Sequence, residues 1–268
     1  MSEFYDTHAH LDYPEFEPDF SEVIQRAGEA GISRVISIGT DSKSSRQAVA
    51  LAEKHDCVFA VVGWHPSNAL HAPQDVRSEL RELALHPKVV ALGETGLDYY
   101  RLPSGKGGSA DDDAHYKSRQ AGLFEQHLEV ATETGLNCVI HQRAALEDSL
   151  TQFRPYSARV CGQFHCFSDG PPAMRRIVEM GSLVSFTGIA TFKSAHAIRE
   201  TISATPLGHF MLETDCPYLA PVPYRGKRCE PAYVKKIAAI VAEVKGCTLG
   251  ELSNVTCQAA RTFFPKLS

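Results

Sequence analysis

Eight short apolar runs alternate with amphipathic stretches along this chain, and that alternation restricts the possible fold more than any other feature. The first run leads into His8 within ten residues of the start. The others cover 34–39, 58–63, 89–92, 136–140, 160–164, 183–186 and 210–212, each of strand length and rich in Val, Ile, Leu or Phe. Between them the spacing changes to that of helices. Phe20, Val23, Ile24 and Ala27 recur along 18–31, with Gly31 where a helix would end. Further helices are predicted over 42–55, 76–86, 116–135, 146–153, 171–181 and 194–204, and two more, 231–245 and 249–264, close the chain. Strands that alternate with helices make a parallel sheet, and eight of them match the counting pattern of a barrel.

The polar residues separate a closed barrel from an open sheet. His8, His10, His65, Glu94, His141, His165 and Asp215 all fall at or just past the C-terminal ends of different runs. In a barrel those ends converge on one mouth, whereas an open doubly wound sheet would spread them along an edge. No glycine-rich dinucleotide loop follows the first run. The expected architecture is therefore α/β, a (β/α)₈ TIM barrel forming a single domain over 1–268. The stretch 101–115 differs in kind, with Gly105, Gly107, Gly108 and three consecutive aspartates. It reads as a flexible, solvated insertion on the mouth side, placed to act as a lid or to select among substrates.

The chemistry follows from the ligand count. On a strand, Asp6, His8 and His10 share one face, so the two imidazoles can grip one cation while Asp6 orients a ring. Four histidines, a glutamate and an aspartate exceed the needs of a single four-coordinate ion. Two divalent ions fit better, one on His8, His10 and Asp215, the other on His141 and His165, with Glu94 bridging through its two oxygens. Ions held roughly 3.5–4 Å apart clamp the attacking and leaving oxygens of a displacement. The expected reaction is hydrolysis, with Glu94 and Asp215 catalytic and Asp215 taking a proton from the attacking water. Glu213 reads as a supporting partner on the same side. His65, within Gly63-Trp64-His65-Pro66, reads as a substrate contact, and the histidines at 55, 71, 86, 115, 127, 196 and 209 fall in helices and loops with no expected site role. Imidazoles suit zinc, iron or nickel and shared carboxylates suit magnesium or manganese, so Mg, Mn and Zn all remain open.

Composition narrows the class. A formal net charge of −5 argues against a protein that coats duplex nucleic acid. The eight cysteines form no Cys-x-x-Cys pair, which argues against a disulfide framework and against an all-thiolate zinc site. No basic segment precedes an apolar run and no stretch reaches the length of a membrane span, so a cytoplasmic protein without membrane attachment is expected.

Seven ordered blocks give the chain a specific resemblance. They are Asp6-Thr7-His8-Ala9-His10-Leu11, Gly63-Trp64-His65-Pro66, Gly93-Glu94-Thr95-Gly96-Leu97-Asp98, Val139-Ile140-His141-Gln142-Arg143, His165-Cys166-Phe167-Ser168, Glu213-Thr214-Asp215-Cys216-Pro217-Tyr218-Leu219 and Arg225-Gly226-Lys227-Arg228. Over nearly its whole length the chain resembles the TatD metal-dependent deoxyribonucleases, which belong to the amidohydrolase-type barrels. The resemblance implies that the matching histidines, glutamate and aspartate bind two, sometimes three, divalent ions, and that DNA is the substrate. Two departures stand out. Cys229 occupies a position where such proteins usually carry Asn, which would alter a polar contact near the substrate, and the 101–115 stretch is longer than the resemblance leads one to expect.

A nucleic-acid substrate needs cations and stacking surfaces at the mouth. Arg143, Arg225, Lys227 and Arg228 are placed to hold phosphates, and Tyr99, Tyr100, Phe167, Tyr218 and Tyr224 to stack on unpaired bases. With an acidic chain and a narrow mouth, action as an exonuclease on single-stranded DNA ends is expected, by a monomer. The alternative reading is a metal-dependent hydrolase of an acyl ester or amide, such as a D-aminoacyl-tRNA deacylase. A non-catalytic binding protein on the same barrel is the third.

Overall fold

The computed structural model describes residues 2–267. Its eight strands are β1 (Phe4–Ala9), β2 (Ile32–Ile38), β3 (Val58–Val62), β4 (Val89–Asp98), β5 (Asn137–Arg143), β6 (Gly162–Phe164), β7 (Leu183–Phe186) and β8 (Phe210–Leu212). They lie in sequence order, each parallel to the next. The ring is brought together between its first and last members. Ala9 bridges Cys216, the Asp215 N–H donates to the His8 carbonyl at 2.9 Å, and the His10 N–H donates to the Cys216 carbonyl at 2.8 Å. The result is a nearly closed (β/α)₈ TIM barrel, as the alternation and the strand-end polar residues imply.

The outer layer comprises α1 (Phe20–Ala30), α2 (Ser42–Lys54), α3 (Arg77–Ala84), α4 (Ala110–Thr134), α5 (Leu146–Phe153), α6 (Pro171–Glu179), α7 (His196–Ala204), α8 (Val234–Lys245) and α9 (Leu249–Phe263). Their apolar faces pack on the strands in one continuous core. A second cluster joins Ile36, Phe59, Val61, Val139 and Met211 to Ala260 and Phe263 of α9 and to Phe264 just past it. The last helix therefore closes the N-terminal end of the barrel, and Asn137 at the start of β5 donates to the Phe263 carbonyl at 2.6 Å. All ligand candidates lie at the opposite end. Among the described residues, no helix is long and apolar enough to cross a membrane.

Two boundaries differ most from the sequence reading. β4 runs on through Glu94 to Asp98, because Gly93 and Gly96, both at φ +130°, permit a close approach that a turn reading overlooks. A Cβ at Gly96 would lie 2.2 Å from the His141 carbonyl oxygen, so only glycine lets β4 pass β5 at this level. The irregular register between Leu92 and Thr95 lies where Glu94 departs from the ladder. The second difference is in the stretch 101–115, which has defined structure. Pro103–Lys106 is a short 3₁₀ turn, and α4 begins at Ala110 under a capping box formed by Ser109 and Asp112. The three aspartates thus form the first turn of a 25-residue helix, where their charge complements the positive end of the helix dipole.

Candidate metal centre

Glu94 is the hub of the mouth. It is almost completely buried, and its two oxygens divide the surrounding histidines into two groups. Oε2 lies 3.3 Å from His8 Nε2 and 3.9 Å from His10 Nε2, and Asp215 Oδ1 completes that side at 3.8 Å and 3.4 Å from the same two nitrogens. Oε1 lies 2.6 Å from His165 Nε2, 2.8 Å from His141 Nδ1 and 3.4 Å from His65 Nε2. Six strands contribute these side chains. Donor atoms of His8, His10 and Glu94 lie within 4.8 Å of one another, and so do those of His65, Glu94 and His141. Histidine nitrogens and carboxylate oxygens at this density suit divalent cations, and His8 Nε2, fully buried with no hydrogen-bond partner, is the kind of atom that a cation would satisfy.

What lies behind each ring decides which nitrogen faces the centre. His10 Nδ1 donates to the Ile38 carbonyl at 3.3 Å, leaving the Nε2 lone pair inward. His141 Nε2 donates to Asp98 Oδ2 at 3.2 Å, leaving Nδ1 inward. His65 is arranged the other way. Its Nδ1 accepts the Ser67 N–H at 3.0 Å, so the proton is on Nε2 and that nitrogen faces the centre as a donor. Burial pushes the His65 ring down to about 3, so it stays neutral at neutral pH. Its proximity to Glu94 and His141 therefore comes from its role as a donor, and it is poorly suited to ligate through Nε2.

Charge at the centre is shared between rings and carboxylates. Burial opposes ionisation of Glu94, but the surrounding His165, His65 and His8 hold its carboxyl well below the usual range. His165 is raised well above an ordinary histidine, burial being outweighed by Glu94 and Glu213, and His141 is raised against burial by Asp98 and Glu94. Asp215 is lowered, its burial offset by His10 and His8. His8 is lowered by burial and by the neighbouring His165.

The whole chain shares its pattern with known proteins. Residues 5–265 match the family described as TatD related DNase. The chain belongs to the TatD family. An uncharacterized metal-dependent hydrolase of Bacillus subtilis, YabD, is 36% identical over 261 residues, covering 97% of this chain and 98% of that one. A protein of Erwinia tasmaniensis named as the 3'-5' ssDNA/RNA exonuclease TatD is 32% identical over 267 residues, covering 97% and 99%. The solved TatD homologue YJJV of Escherichia coli superposes with a TM-score of 0.88 at 26% identity, covering 98% of both chains. As a TatD protein this chain is a metal-dependent hydrolase, and its His and Glu clusters are suited to metal ions.

Two expectations from the sequence change within the TatD framework. Asp6 does not orient a histidine ring. Its carboxyl accepts the Thr214 N–H at 2.9 Å and the Thr214 hydroxyl at 2.6 Å, clasping β1 to the residues just past β8, and burial pushes it up to about 8. Arg228 is not free for a phosphate, because it donates to Asp19 at 2.7 and 2.8 Å and lies over the Phe16 ring. Cys229 is fully buried, so the residue that departs from the family pattern contributes no exposed polar group. Arg143 and Arg225 remain exposed, stacked on Tyr100 and Phe192 at 3.9 and 4.1 Å from the ring centres.

Two supporting residues escaped the sequence reading. Asp98 follows Glu94 by four positions on one strand, so alternation gives it the same face, a signal visible only once β4 is known to run that far. His127, expected to have no site role, lies inside α4 and accepts the Trp64 N–H at 3.1 Å through Nε2 while Nδ1 donates to the Leu123 carbonyl at 2.7 Å. It thereby fixes the backbone next to His65.

Proposed function

We propose that this chain is a divalent-metal-dependent deoxyribonuclease that removes nucleotides from single-stranded DNA ends by hydrolysing phosphodiester bonds, using two metal ions, of which Mg, Mn and Zn are the candidates. The division of the Glu94 oxygens between two histidine groups carries this reading, since a carboxylate so flanked is suited to bridge two cations. One ion would be held by His8, His10 and Asp215, the other by His141 and His165. When bound, the ions supply Lewis acidity toward the scissile phosphate and lower the cost of ionising water.

The chain's own groups supply the rest. Asp215, kept ionised beside His10, accepts the proton of the attacking water. The neutral His65 donates its Nε2–H toward a phosphate oxygen. Arg143 and Arg225 are the phosphate contacts, because stacking on an aromatic ring holds each guanidinium plane while leaving its edge open. Tyr100, 62% exposed, and Tyr218, 52% exposed, offer faces for unpaired bases. A hollow of about 350 Å³ lined by Tyr99, Tyr100, Arg101 and Lys106 extends the cationic, aromatic surface beyond Arg143. The acidic overall charge favours a local grip on an end over extended duplex contact. The chain is taken to act as a monomer, and eight free thiols suit the reducing cytoplasm.

The test is a single-stranded DNA oligonucleotide labelled at each end in turn. Chelator-stripped protein should leave it intact, and added magnesium, manganese or zinc should restore stepwise shortening from one end. The Glu94→Ala variant should stay inactive with any of them. If metal-loaded protein leaves DNA intact yet cleaves an activated acyl ester, an acyl hydrolase replaces this reading.

A further inference from the structure

Every histidine that ligates through one nitrogen needs its other nitrogen protonated and received by an acceptor. His10 has the Ile38 carbonyl and His141 has Asp98. His8 and His165 have none within hydrogen-bond distance. The Nδ1 atom of each is buried without a partner among the described residues, a condition unfavourable for a donor left unpaired. These two rings lie face to face, with centres 4.1 Å apart and planes 7° from parallel. Beside them is Glu213, completely buried, with Oε1 3.7 Å from His165 Nδ1. Donor atoms of His8, His165 and Glu213 all lie within 4.8 Å of one another. The carboxylate is anchored from behind, Oε1 accepting the Cys166 N–H at 2.7 Å and Oε2 the Gln163 amide at 2.9 Å.

Such a trio has two chemical uses, a further cation site or a shared hydrogen-bond acceptor. The stacking decides between them. An imidazole lone pair lies in the ring plane, so two near-parallel rings about 4 Å apart direct their lone pairs within separate parallel planes that share no point for one ion. Parallel N–H bonds suit a carboxylate, which has about four acceptor positions on two oxygens, two of them already used here. We infer that Glu213 is a positioning residue that receives the Nδ1–H of both His8 and His165 and so holds each Nε2 toward Glu94. The inference rests on the metal-dependent reading above. Its particular content is that one buried carboxylate serves both halves of the centre, since His8 faces Oε2 of Glu94 and His165 faces Oε1.

The experiment compares Glu213→Gln with Asp98→Asn by zinc titration of stripped protein in a calorimeter, and reads ring tautomers by long-range nitrogen–proton spectra of zinc-loaded, ¹⁵N-histidine-labelled wild type. Glu213→Gln should weaken both binding events, each by about 10–100-fold, whereas Asp98→Asn should weaken one. In wild type, His8 and His165 should both show protonated Nδ1. Loss of a single binding event in Glu213→Gln, or an unprotonated Nδ1 on either ring in wild type, overturns the inference. The spectra need no variant, so a misfolded Glu213→Gln does not remove the test. Zinc uptake with both Nδ1 atoms protonated but no DNA cleavage overturns the DNA reading and leaves this one standing, and a protein that takes up no zinc overturns both.

Discussion

Acidification should loosen the backbone beside His65 through a residue that touches neither metal nor substrate. His127 is completely buried, and both of its ring nitrogens are committed, Nδ1–H to the Leu123 carbonyl and the Nε2 lone pair to the Trp64 N–H. A second proton would meet the Trp64 N–H head on. Burial accordingly lowers this ring from an ordinary histidine's 6.5 to about 4. The unfolded chain then binds the proton first, so this group's contribution to stability is intact above pH 6.5 and is lost as pH falls toward 4. At 1.36 kcal/mol per unit the full loss is about 3 kcal/mol, of which about 2.5 kcal/mol is gone by pH 4.5. Urea unfolding of stripped protein at pH 7.5 and 4.5 measures it, with Glu94 and its ligands present in both members of the comparison. His127→Gln keeps an acceptor for Trp64 and removes the titration. Wild type should lose about 2.5 kcal/mol more than the variant over that interval. Equal losses would refute the argument.

The other predictions concern the mouth directly. Gly96→Ala should destabilise the fold by about 3 kcal/mol or more in urea melts, since a methyl group would lie 2.2 Å from the His141 carbonyl at a φ of +130°. Arg225→Ala should raise KM for single-stranded DNA several-fold with kcat little changed, while Arg228→Ala should lower Tm and leave KM alone, because Arg228 is held by Asp19. His10, His141 and His165 are all raised in the metal-free centre, so their contribution to the stripped protein's stability is fully present below pH 6.5 and is lost as pH rises through their elevated values. Metal must displace those protons, and calorimetry in buffers of different ionisation enthalpy should show proton release and tighter binding as pH rises from 6 to 8.

The strand order and the clustering of the strand-end histidines and carboxylates were legible in the sequence because both follow from local pattern. Runs such as Val58–Val62 and Leu183–Phe186 have no polar residue to spoil a buried strand except Ser185, and the clustered polar residues stand where such runs stop. Element lengths were less legible. Gly93 and Gly96 resemble a turn signal, yet they serve a close approach to β5 that exists only once the barrel has formed. Asp111, Asp112 and Asp113 resemble a solvated loop, yet Ser109 caps them into the first turn of α4. Arg228 was read as a free cation because its partner, Asp19, lies 209 residues earlier.

The least legible property is which ring turns a lone pair toward the centre and which turns a proton there, because residue type and spacing do not carry it. His10, His65 and His141 are chemically identical side chains within reach of the same carboxylate. They are told apart by what lies behind them, a backbone carbonyl for His10, a carboxylate for His141 and a backbone N–H for His65. An acceptor behind the ring turns a lone pair toward the centre, and a donor behind it turns a proton there. The Ser67 N–H lies only two residues from His65, presented where the chain turns into a 3₁₀ segment after Pro66. The local turn after β3 therefore turns a donor of His65 toward the centre, and the β4 extension that brings Asp98 behind His141 turns that ring's lone pair there.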